Sequence, residues 1–123
     1  MKKVWVLEKF VTIDERERHL HELKVMALNN DLTEDQKELA WQMVQAEQKC
    51  IENFPHGEWR GWEGKSNYRQ FCEVAQDCLR RYKGRNDRFR VVTAEVEDSA
   101  KYWTGYANPV ENKGVLKYLY ATL

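Results

Sequence analysis

Arg80, Arg81, Lys83, Arg85, Arg88 and Arg90 crowd into the stretch LRRYKGRNDRFR, around a single glycine, in a chain whose formal charge is zero. A guanidinium offers a planar fork of donors that fits a carboxylate or a phosphate, and its flat face stacks on aromatic rings. Tyr82 and Phe89 are interleaved with these cations. The chemistry these residues support is recognition of an anion. Charge is sorted along the whole chain: residues 60–90 hold nine Lys or Arg against four acids, whereas residues 31–54 hold two against six. The anion is therefore an acidic protein surface, a nucleic acid, or the acidic segment of a second copy. Trp59 and Trp62, in the segment FPHGEWRGWEGK, stand beside this block as large anchors of the kind that dominate protein interfaces.

Other combinations fall short of a catalytic pattern. Gly61, Gly64, Lys65 and Ser66 resemble the end of a phosphate loop, but the place that needs its first glycine is Trp59, whose side chain obstructs a backbone cradle. What survives is Lys65 beside the free amides of a helix start, an arrangement that can hold a phosphate or carboxylate. His19 and His21, two apart on a helix, point about 200° apart and cannot share a metal. Neither they nor His56 have ligand partners at metal spacing, so no metal or cofactor is expected. Ser66 and Ser99 lie in no nucleophile elbow. Cys50, Cys72 and Cys78 are odd in number, form no CxxC pair and sit among apolar neighbours, which makes them reduced thiols in helix interiors. The acidic pairs Asp14 with Glu15, Glu34 with Asp35 and Glu97 with Asp98 suit helix starts and turns.

The elements that must position the arginines follow from periodicity. Residues 2–11 alternate apolar side chains on both faces, the pattern of a strand with little solvent on either side. Thr12 and Asp14 are N-cap types before a helix over 15–28, and Thr33 with Gln36 forms a capping box before a second helix, striped by Leu39, Ala40, Met43, Ala46, Cys50, Ile51 and Phe54. Residues 54–65, with one proline and three glycines, read as a loop. Ser66 or Asn67 caps a third helix carrying Tyr68, Phe71, Ala75, Cys78, Leu79 and Tyr82, and Gly84 suits its C-terminal turn. From Arg88 the period becomes two, and further strands are expected over 101–107 and 114–123. The fold class is α+β: a mainly antiparallel sheet of about four strands with three helices on one face, in the order β-α-α-α-β-β-β.

A chain of 123 residues with a third of them charged and 12% aromatic fits a single folded domain, 1–123. Its first residues are too short an apolar run for a signal peptide or a membrane span, so a cytoplasmic protein is expected. Helices on one side leave a second sheet face rich in apolar residues, which a homodimer packed sheet to sheet would bury. In length, tryptophan content, charge blocks and want of a catalytic signature, the chain resembles accessory and inhibitory proteins of bacteriophages and prophages, a likeness of general character carried by no motif. The leading reading is a non-enzymatic interaction domain that docks an acidic partner through Trp59, Trp62, Lys65, Arg80, Arg81, Lys83, Arg85, Arg88 and Arg90. The alternatives are RNA or single-stranded DNA binding through the same patch, and a small enzyme without a recognisable motif.

Overall fold

The structure is a computed structural model, which describes residues 1–82, 88–100 and 105–123. Strand β1 (Lys2–Val11) leads into helix α1 (Ile13–Ala27) and helix α2 (Glu34–Asn53). Strand β2 (Glu58–Lys65), helix α3 (Tyr68–Arg81), strand β3 (Phe89–Val96), strand β4 (Ala107–Glu111) and helix α4 (Lys113–Ala121) follow. The α+β class is as expected, with four helices rather than three. The chain divides into two compact units, one of residues 1–10 with 59–123 and the other of residues 11–58.

The first unit is built on a four-stranded sheet in the order β2-β1-β3-β4. β1 pairs antiparallel with β3 from Lys2 opposite Val96 to Lys9 opposite Phe89, and β3 pairs antiparallel with β4, the register shifting between Thr93 and Glu95. Period-two alternation puts Trp5 and Leu7 on one face and Val4 and Val6 on the other. Val6 and Leu7 are both 0% exposed, so the expectation of a strand dry on both sides holds. One face packs against α3 and α4, where Leu7, Phe71, Ala75, Cys78, Leu79, Phe89, Val91 and Leu119 form the largest core. On the other face Val4, Val6, Val92, Ala94 and Val96 are buried, with Ala100 and Tyr106 packed against them. The ammonium of Lys2 pins this cover by donating to the Ala100 carbonyl at 2.8 Å. Burial of the second face therefore occurs within one chain, and the observation that called for a sheet-to-sheet dimer is accounted for without one.

Two segments depart from the sequence expectation. Residues 114–123 form a helix instead of a strand: the Asn112 side chain accepts from the Val115 amide and caps it. Val115, Leu116, Leu119 and Leu123 then share the core at helical spacing, a pattern masked by the accidental two-residue alternation of Leu116, Tyr118 and Tyr120. Residues 58–65 form strand β2 instead of a loop, because glycines inside an edge strand read as breakers while Trp59 and Trp62 supply strand-favouring bulk. The expected strand over 101–107 lies mostly outside the described residues, and β4 begins at Ala107. β4 is exposed throughout and carries Pro109, which blunts the open edge of the sheet.

The second unit is a helical hairpin. Thr12 caps α1 by accepting from the Glu15 amide, and the Thr33 and Gln36 capping box starts α2 as anticipated. Leu23, Ala27, Ala40 and Val44 make its small core. Leu39 and Met43, expected in the stripe of α2, are instead exposed, since the buried face centres on Ala40, Val44 and Glu47. Arg16, only 5% exposed, donates to both Glu47 oxygens at 3.1 and 3.3 Å and also pairs with Glu58. Burial alone would lower the Arg16 pKa, but the hydrogen bond to Glu47 and the charges of Glu47 and Glu58 outweigh it and hold the guanidinium above its ordinary value. The imidazole Nδ1 of His19 lies 3.5 Å from the second Glu47 oxygen.

Candidate anion-recognition site

The end of the sheet where β1 finishes and β2 and β3 begin gathers cations over aromatic rings. Pairing brings Phe10 beside Arg88, the Phe10 amide donating to the Arg88 carbonyl at 2.9 Å. The Arg88 guanidinium then lies 5.0 Å from the centre of the Phe10 ring and 5.6 Å from that of Trp59, within reach for a cation–π interaction. Arg90 stacks on the same indole at 4.5 Å, and the Phe10 and Trp59 rings meet edge to face at 5.3 Å. Two guanidiniums thus share one tryptophan.

The opposite face of the same sheet end holds a second cluster. Trp62 is three residues beyond Trp59, so strand geometry sends it to the other side. There it meets Tyr82 edge to face at 5.4 Å, and Tyr82 in turn contacts Phe89 at 5.7 Å. The Lys9 ammonium sits over Trp62 at 5.2 Å and over Tyr82 at 5.8 Å. The two tryptophans, expected in one loop as anchors beside the arginines, are therefore separated by the sheet.

Below the Arg88 cluster is a polar network that sequence reasoning did not single out. Glu8 is 3% exposed, and its carboxylate accepts from Arg90 Nε at 2.6 Å and from the Tyr106 hydroxyl. Burial, then the hydrogen bond to Glu8, then the Glu8 charge push the Tyr106 phenol well above its ordinary pKa. Arg90 is thus held by a carboxylate and an indole, so it serves to position Trp59 more than to meet a visitor. The signal in the sequence was Glu8 itself, the one acid of strand β1, which alternation places on the same face as Val4 and Val6.

The arginines of the basic run divide by surroundings. Arg80 pairs with Asp77 one turn earlier at 2.9 Å, both side chains more than half exposed, a pair of little strength in water. Arg81 and Arg88 are exposed, and among the described residues no carboxylate is paired with either. Lys83 and Arg85 lie outside the described residues. Lys65 is exposed at the far end of β2, six residues and about 20 Å of extended chain from Trp59, and does not join the cluster. Gly61, Gly64 and Lys65 are extended within β2, and the Asn67 side chain already accepts from the Gln70 amide at the start of α3. A strand precedes Ser66 where a loop had been expected, yet no phosphate cradle results.

The cysteines are free: Cys50 and Cys72 are half-buried, and Cys78 is buried, its thiol pushed up first by burial and then by the Glu63 charge. Such a thiol is a poor nucleophile. Among the described residues no group of three His, Cys, Asp or Glu side chains is placed to hold a metal, and no helix is long and apolar enough to cross a membrane. Compared with known protein families, with curated proteins and with solved structures, the chain finds no match.

Proposed function

We propose that this chain is a non-enzymatic interaction domain that docks a carboxylate-rich surface of a partner protein at the Arg88 end of the sheet. The reading is carried by Arg88: exposed, resting against the Phe10 and Trp59 rings, and among the described residues unpaired with any carboxylate. Ring contacts restrict the guanidinium without using its in-plane donors, so less entropy is lost when a carboxylate arrives. Arg81, exposed at the end of α3, adds charge at the same edge of the structure as Tyr82.

The same geometry favours protein over nucleic acid. Base stacking needs free aromatic faces, whereas Trp59 carries two guanidiniums and Trp62 and Tyr82 share the Lys9 ammonium. Fluorescence polarisation with a glutamate-rich peptide and with a random single-stranded oligonucleotide separates the readings. The expected result is saturable binding of the acidic peptide that Arg88→Glu weakens by about tenfold, a loss of about 1.4 kcal/mol. Tighter binding of the oligonucleotide, falling steeply with added salt, would transfer the site to nucleic acid.

A further inference from the structure

We infer that the α1 and α2 hairpin is a docking surface for a basic amphipathic helix of a partner, seated along Met26, Leu32, Leu39 and Met43. This site is separate from the Arg88 cluster and does not depend on the function proposed for it. The hairpin buries small or few side chains, Leu23, Ala27, Ala40 and Val44, and leaves larger ones in solvent: Met26 is 50% exposed, Leu39 59% and Met43 43%. These residues, with Leu32, Gln36 and Ala40, line a groove of about 190 Å³. Contiguous exposed apolar surface marks an interaction site, and methionine, unbranched and polarisable, adapts to varied apolar partners. A groove between two helices receives a third helix through residues spaced by one turn.

Charge selects the occupant. Residues 11–58 carry eleven acids against five Lys or Arg. Glu22 stands one turn before Met26 and Asp35 one turn before Leu39, so each rims the groove on the same helix face as its apolar neighbour. Lys24 is set about 200° round α1 from Met26, away from the groove, and the ammonium of Lys37, one turn before Ala40, is 3.9 Å from the Glu34 carboxylate. An acidic rim around an apolar floor attracts a helix with Lys or Arg beside its apolar stripe. A second copy of the hairpin, a nucleic acid or an anionic lipid surface brings like charge to the same rim.

The test uses the full chain and a fluorescein-labelled peptide of leucine and lysine patterned as an amphipathic helix, against a peptide of the same composition with the pattern scrambled. The patterned peptide is expected to bind at least about tenfold tighter. The double substitution Leu39→Asp with Met43→Asp abolishes that preference, and Asp35→Lys, at an exposed polar position, weakens binding without disturbing the fold. Arg88→Glu leaves it unchanged, which keeps this site distinguishable from the first. Equal binding of both peptides, or binding by the double variant and by Asp35→Lys as tight as that of the parent chain, overturns the proposal. So does a dimer in sedimentation equilibrium that the double variant converts to monomer, which would give the groove to a second copy.

Discussion

Glu8 and Tyr106 show how a buried charge in the sheet organises an exposed one. The carboxylate fixes Arg90, Arg90 stacks on Trp59, and Trp59 flanks Arg88, so a residue with little solvent contact sets the geometry of one that is exposed. Tyr106 also has a measurable signature. Its folded pKa is raised above the ordinary 10.0, so the neutral phenol stabilises the fold below that pH, and the contribution is lost as pH rises above 10.0 toward the folded value. Urea denaturation across the alkaline range should show stability falling with pH in the parent chain and a flatter limb in Tyr106→Phe. Parallel limbs would mean that the Tyr106 hydroxyl does not donate to Glu8 in solution.

Among the elements, the first three helices were the most legible. Thr12, Thr33 and Asn67 mark α1, α2 and α3, because a side-chain oxygen that satisfies an orphan amide is a local event. β2 and α4 were misread for the converse reason: glycine spacing in one and ambiguous periodicity in the other are resolved by which neighbours supply a core. Arg16 binds α1 to α2 and to Glu58 in a way no spacing announces. Removing it takes both guanidinium hydrogen bonds from the buried Glu47 carboxylate, so Arg16→Met should cost about 3–5 kcal/mol in chemical denaturation. A second change, Glu47→Met, should restore part of that loss. A cost below about 1 kcal/mol for the single change would show that water, not Arg16, solvates Glu47.

At the scale of the molecule, charge is divided between the units: residues 11–58 hold six more acids than Lys and Arg, and the remainder of the chain holds six more Lys and Arg than acids. Net neutrality therefore conceals two units of opposite net charge. The second sheet face is closed by the chain itself through Ala100 and Tyr106. Val6→Ala should accordingly lower stability by about 2 kcal/mol, the loss of two buried methyl groups with a residual cavity. The unfolding midpoint of parent and variant should not vary with protein concentration. A midpoint that rises with concentration would indicate that a second copy contributes to burial.

The sequence by itself determined the α+β class, the three capped helices, the two-sided apolar character of β1 and the concentration of cations near residues 80–90, since each is written in local spacing and residue type. Tertiary structure alone decided that Trp59 and Trp62 lie on opposite faces, that Lys65 stands apart, that Arg90 is committed to Glu8 while Arg88 is not, and that Leu39 and Met43 remain in solvent. The physical reason is that pairing and burial depend on which distant residues become neighbours, and a strand or helix pattern specifies its own faces without naming what will cover them.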